Sequence, residues 1–424
     1  MIKRVRGTQD ILPSNCGQAG QDSSFWQEIE QVARRIFTLY DYQEIRTPII
    51  EEASLFNRSL GETTDIVQKQ MFQIRHDKDN LVLRPEATVS VVRAYLENNL
   101  DKKKKTAKFY YLGPMFRAER PQKGRLRQFH HLGIEALGSL SPQLDVEVIS
   151  LSCKLLEELG IKDFRVELNS LGCAKDKQAL SKLLREKIQP KASGLCEDCQ
   201  KRLKRNVFRI LDCKKSACKQ LVSSLNLRHD YLCSECSTHL REVLTGLDAI
   251  GLKYQLSFSL VRGLDYYTRT VFEIKHNALG AQDALGAGGR YDNLVEELAG
   301  PKCGAIGFAL GIERLLLARQ KNSAVGGLKN LVYVIRLGEE ANKKSAQLLH
   351  NLRSNNICAD MDYTSRSLKA QMRLANDSGA RLCIIIGDDE LKNKTFSLKD
   401  MKTSLQRSVP EVDLLKELNL ILTP

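Results

Sequence analysis

The chain has 424 residues, 42% of them hydrophobic and 27% charged, and carries a formal charge of +14. That length accommodates two or three cores, and the composition excludes a disordered or fibrous chain. No apolar run is long enough to cross a bilayer, and "MIKRVRGTQDILPSN" lacks the apolar core of a secretory signal, so a cytoplasmic location is expected.

Apolar residues recur at Phe25, Ile29, Val32, Ala33, Ile36, Phe37 and Tyr40, which is helical spacing, with Ser24 placed to cap it. "YQEIRTPIIEEASLF" predicts a strand, and Pro48 inside it implies an edge or a bend. "NLVLRPEATVSVVRAYLEN" predicts a strand ending near Pro85, then a helix burying Val89, Val92 and Leu96. Next, "FYYLGPMFRAERPQKGRLRQFHHLGIEALGS" places two apolar stretches around an arginine-rich "RPQKGR" loop. As an antiparallel hairpin it gathers Met115, Arg117 and Glu119 on one face, with Phe129, His131, Gly133 and Glu135 beside them. Charge inside two good strands suggests a platform for a polar ligand, and Gly133 leaves a gap in it. A solvated sheet face would read the same way.

From about residue 175 to 247 the sequence turns Lys- and Cys-rich and helical, as an insertion would. Six of the twelve cysteines fall between Cys196 and Cys236, and in a reducing compartment such clustering favours metal over disulfides. "CEDC" and "CSEC" have the internal spacing of zinc ligands, which makes Cys196, Cys199, Cys233 and Cys236 one candidate set. Free thiols in the insertion are the other reading. Strands with glycine-rich turns follow: "YQLSFSLVRGLDYYTRTVFEIKH", "ALGAGGRYDNLV", then "CGAIGFALGIERLLLARQ", a strand running into a helix. "KNSAVGGLKN" is a linker, and beyond it strands and helices alternate as in a small, largely parallel α/β domain.

In order, "RGTQDILP", "LRPEAT", "FRAERPQKGRLRQFHHLGIE", "LVRGLDYYTRTVFE", "GGRYDNLV" and "GFALGIERL" resemble histidyl-tRNA synthetase, a class II aminoacyl-tRNA synthetase family. The resemblance covers nearly the whole chain, and "LVRGLDYY" is its most specific element. It implies an α/β protein: an α+β catalytic domain on an antiparallel sheet over 1–325, with the insertion, and an α/β anticodon-binding domain over 330–424. It implies an ATP-dependent histidine–tRNA ligase, working on L-histidine, ATP with Mg²⁺ and tRNA(His), and a homodimer formed through "IRTPIIEE".

By motif position, Arg117 and Arg262 match the arginines at the α-phosphate. Phe129 matches the adenine-stacking ring and Arg314 the γ-phosphate contact. Glu135, Tyr266 and Tyr267 match the imidazole contacts, Glu86, Ala87 and Thr88 the ammonium end, and Tyr291 the pocket lining. His131 stands where the family usually has glutamine, and Ala87 where it has glycine. Gln122, Lys123, Arg125 and Arg127 are left for the tRNA acceptor stem. Two alternatives remain: a non-catalytic regulatory subunit of histidine biosynthesis on the same fold, and an inactive nucleic-acid-binding protein.

Overall fold

The computed structural model describes residues 2–13, 21–61, 64–122, 124–319, 330–364 and 366–422; Lys123 and most of the "KNSAVGGLKN" linker lie outside them. The chain divides into two compact units, Met1–Ser323 and Ala324–Pro424.

In the first unit, the described residues form an eight-stranded sheet. Its order is Gln43–Glu44, Ala107–Phe116, Gln128–Leu137, Ala305–Gly311, Ala284–Arg290, Thr268–His276, Phe164–Ser170, Gln255–Leu256. The six inner strands pair antiparallel and the two short edge strands parallel. Strand alternation sorts the side chains between two faces. Leu132, Ile134 and Ala136 enter the main core, with Ile29, Ile36 and Phe37 of helix Ser23–Leu39 and Val148 and Leu155 of helix Pro142–Glu158. Phe129, His131 and Glu135 face the other way and line a cleft.

Three local expectations change. Asp22, not Ser24, caps the first helix: its carboxylate takes the Ser24 N–H at 2.9 Å, while the Ser24 hydroxyl donates to that same carboxylate. The stretch around Pro48 is two strands. Gln43–Glu44 joins the main sheet, and Ile50–Glu52 joins a three-stranded sheet with Asp79–Leu83 and Phe72–His76. Proline has no N–H for a ladder, so pairing stops between them. The hairpin strands end at Phe116 and restart at Gln128, which puts Arg117 and Glu119 in the connection, although Arg117 N–H still donates to the Arg127 carbonyl at 2.9 Å.

The lobe after Ser170 is helical, with a small core of its own that includes Leu180, Leu184, Ile188, Val207 and Ile210. Val243 and Leu247 of its last helix, Ser234–Ala249, belong instead to the main core. One carboxylate ties the lobe's ends together: Asp176 accepts the Cys173 N–H at 3.1 Å and the Cys233 N–H at 2.9 Å.

The second unit carries five described strands in the order Ala359–Met361, Val332–Arg336, Leu382–Ile386, Thr395–Asp400, Gln406–Pro410. The first three are parallel as expected, and the last two extend the sheet antiparallel. No described helix is long and apolar enough to cross a membrane.

Candidate active site

The cleft has a volume of about 550 Å³, within the range of small-molecule sites. Its floor is the outer face of the sheet, and its walls come from the helix after "LRPEAT", the hairpin connection, the "LVRGLDYY" segment and the helical lobe.

At its inner end lies Glu135, 1% exposed. It accepts the Thr88 hydroxyl at 2.8 Å, the Tyr111 hydroxyl at 3.3 Å and the Tyr291 hydroxyl at 2.5 Å. Burial pushes its carboxyl up to about 8, against the pull of the Tyr291 and Thr88 hydrogen bonds and with help from the charge of Glu86. The backbone is shaped around this group: a Cβ at Gly307 would stand 2.0 Å from the Glu135 carboxylate, and one at Gly133 would stand 2.5 Å from the Tyr111 hydroxyl. The gap expected over Gly133 is therefore filled by Tyr111. Tyr266 packs its ring 4.6 Å from Tyr267 and 5.7 Å from Tyr291, so the three rings form one buried wall. Glu86 accepts the Thr88 and Val89 N–H groups at 2.8 and 2.9 Å, which holds an anion at the N-terminus of helix Thr88–Glu97.

Cations crowd the other end, where Arg117, Arg262 and Arg314 all border the cleft. The Arg117 Nε donates to the Pro85 carbonyl at 3.0 Å, and its guanidinium lies 5.3 Å from the centre of the Phe129 ring. Arg262 Nη1 pairs with Glu273 at 3.0 Å, while its buried Nε has no partner. Arg314 is held by the Gly124 carbonyl at 3.0 Å and the Ala284 carbonyl at 2.6 Å. His131 sits among these cations with its buried Nδ1 unpartnered, and burial with the nearby Arg117 and Arg314 charges keeps the ring neutral. A neutral imidazole in a cationic site is an acceptor awaiting a donor. Together the two ends can take a zwitterion with a polar ring inside and a polyphosphate outside.

A family model described as histidyl-tRNA synthetase matches residues 7–315, and one described as an anticodon binding domain matches 331–419. The chain is 45% identical to the histidine–tRNA ligase of Halothermothrix orenii over 421 residues, covering 98% of this chain and 99% of that one. It is 43% identical to that of Clostridioides difficile, covering 99% of each. The chain belongs to the histidyl-tRNA synthetase family. A crystal structure of apo S. aureus histidyl-tRNA synthetase matches with a TM-score of 0.81 and 35% identity, over 99% of this chain and 100% of that one. A Bacillus halodurans structure titled as an ATP phosphoribosyltransferase regulatory subunit/histidyl-tRNA synthetase shares the fold at 21% identity and a TM-score of 0.64, over 89% of this chain and 96% of that one.

Against the family's motifs, most of the named residues meet in the one cleft: Glu86, Thr88, Arg117, Arg125, Phe129, His131, Glu135, Arg262, Tyr266, Tyr267, Tyr291 and Arg314. Others do not line it. The Ala87 side chain packs in a small core with Val91, Tyr111 and Met115. Gln122 closes a tight turn with Arg125. Arg127 binds the Glu119 and Arg6 carbonyls at 3.3 and 3.4 Å, and its backbone N–H meets the Gly7 carbonyl at 2.7 Å, so it straps the "RGTQDILP" segment to the connection. Arg84 likewise serves structure, reaching the Pro114 and Thr47 carbonyls at 3.0 and 2.9 Å.

Sequence reasoning missed Tyr111 and Glu273, since each reads as an ordinary strand residue and only cross-strand pairing reveals its partner. It also passed over the arginine of "GGRYD", a segment read for its glycines and for Tyr291. Arg290 is fully buried, bound to Asp145 at 2.7 Å and Asp292 at 2.8 Å, while His239 meets Asp145 at 2.8 Å.

The cysteine set needs correction. Cys196 and Cys199 lie with Cys213 and Cys218, whereas Cys233 and Cys236 lie with Cys173 and Asp176. The two "CxxC" pairs open different helices, Glu197–Arg205 and Ser234–Ala249, one in the lobe's core and one against the main core, so they do not form one site. The lobe's histidines, His229 and His239, join neither set and bond to Asn169 and Asp145.

Proposed function

We propose that the cleft activates L-histidine with ATP and then passes the histidyl group to the 3′ end of tRNA(His). Histidine–tRNA ligation is the activity of the family, and the chain has it. In the first step a histidine carboxylate oxygen attacks the α-phosphorus, and the bond to the leaving pyrophosphate breaks with its electron pair. Negative charge gathers on the α-phosphoryl oxygens, and Arg117 and Arg262 stabilise it from two sides. One preorganised donor in such a place contributes about 3 kcal/mol. Glu273 orients Arg262 and leaves its Nε free for the phosphate. Arg314 takes the γ-phosphate end and Phe129 the adenine. ATP enters as its Mg²⁺ complex, with the ion carried on the outer phosphates.

The substrate imidazole reaches Glu135, with Tyr266, Tyr267 and Tyr291 around it, and its ammonium group lies toward Glu86, Thr88 and the His131 acceptor. In the second step the adenylate's own phosphate oxygen takes the proton of the terminal ribose hydroxyl, since among the described residues no side chain stands out as its base. Arg125 faces the acceptor stem and the second unit reads the anticodon, with the net charge assisting both. The chain acts as a cytoplasmic homodimer through "IRTPIIEE", a segment that leaves Ile49 and Ile50 40% and 50% exposed.

The observation that carries the reading is one buried carboxyl facing a cluster of guanidinium groups across a single cleft. ATP–pyrophosphate exchange tests it. Exchange that requires L-histidine is expected, and no exchange would favour the non-catalytic regulatory relative.

A further inference from the structure

We propose that the helical lobe binds one zinc ion between Cys196, Cys199, Cys213 and Cys218. The four sulfurs lie within 4.8 Å of one another, and Cys196 and Cys213 Sγ stand 3.9 Å apart. With zinc–sulfur bonds of about 2.3 Å, a tetrahedron has sulfur–sulfur edges of about 3.8 Å, so the ion fits with little movement. All four are free thiols, far from the roughly 2 Å separation of a disulfide.

The local fold presents these sulfurs for a purpose other than packing. Cys196 immediately precedes helix Glu197–Arg205 and Cys199 lies in its first turn, Cys213 follows helix Phe208–Leu211, and Cys218 lies in the first turn of helix Ser216–Ser224. Three helix ends therefore converge on one point. Cys199 and Cys218 are fully buried and Cys213 is 6% exposed, so bulk water has little access to the bonds. The Cys196 N–H already points at Cys218 Sγ at 3.3 Å, the bond that a metal-bound thiolate accepts. Arg202 Nη1 lies 4.0 Å from Cys199 Sγ, where it offsets the excess negative charge of four thiolates on a divalent ion.

Binding is redox-neutral: each thiol releases its proton to solvent and its sulfur donates a lone pair to Zn²⁺. The second cluster is the poorer site, because both Asp176 oxygens already accept backbone N–H groups and Cys233 is exposed. Zinc would fix one wall of the cleft, since Leu211, Cys213 and Lys214 border it and Arg209 pairs there with Asp65 at 3.4 Å. The proposal does not depend on which reaction the cleft performs.

The test is metal analysis of the full chain, purified without chelators or a histidine tag, then loaded with equimolar Zn²⁺ and desalted. A bound equivalent that Cys213→Ser loses, with an X-ray absorption shell of four sulfurs near 2.3 Å, is the expected result. Should Cys213→Ser fail to fold, the absorption spectrum of the unmodified chain still decides. Protein that keeps no zinc overturns the proposal. So does a shell of three sulfurs and one oxygen, which would move the ion to Asp176.

Discussion

On the proposed reading Glu135 selects the imidazole, and its proton is part of how it would do so. In the free protein its carboxyl titrates at about 8, above the ordinary 4.5, because it is buried. The native group holds its proton to higher pH than the unfolded one, so its contribution to stability falls as pH rises from about 4.5 to about 8. An imidazole N–H bonds more strongly to the ionised form than to the neutral acid. Histidine affinity should therefore rise roughly five-fold between pH 7 and 8, where the substrate ring is mostly neutral. Calorimetry in buffers of different ionisation enthalpy should detect the released proton, and Glu135→Gln should remove the rise while weakening binding. At the opposite end, Arg262→His should lower histidine-dependent exchange by roughly 10²-fold, the value of one lost donor, with an unchanged circular dichroism spectrum. A loss within threefold would mean that Arg262 does not touch the reacting phosphate.

Elements explain why the sequence was legible in some places and not in others. The hairpin could be read because alternation is a property of the chain alone: Phe129, His131 and Glu135 share a face whatever lies beside them. Arg127 and Arg290 could not, because partners such as the Arg6 carbonyl and the Asp145 carboxylate come from distant segments. "FRAERPQKGRLRQ" shows four arginines of one type in the sequence and several duties in the fold. Arg117 lines the cleft, Arg125 pairs with Glu119 at 3.1 Å while 40% exposed, and Arg127 straps the N-terminal segment. Arg125→Ala should accordingly weaken aminoacylation more than activation, with the gap narrowing as salt is raised, because the variant has one phosphate contact fewer to lose. Arg290→Ala should cost about 3–5 kcal/mol in a urea melt, since it takes the guanidinium from Asp145 and Asp292 and leaves the fully buried Asp145 with only the His239 ring.

At the scale of the molecule there are two units with separate cores, and on the proposed reading they divide the work. Deleting 331–424 should leave histidine-dependent exchange in place and reduce tRNA charging at least about tenfold, or 1.4 kcal/mol. Equal loss of both activities would tie the second unit to activation. The parallel strands of that unit were legible from their apolar runs. Its antiparallel extension was not, because "TFSLKDMKTSLQRSVP" buries only one face, through Phe396, Leu398 and Val409. The Asp176 clasp has a consequence for the chain's modularity. Because a single side chain holds the points where the lobe departs and returns, residues 173 and 233 are neighbours in space. A short splice joining them would remove the appendage without reopening the sheet, and the pruned enzyme would show what a catalytic domain of this kind does with one wall taken away.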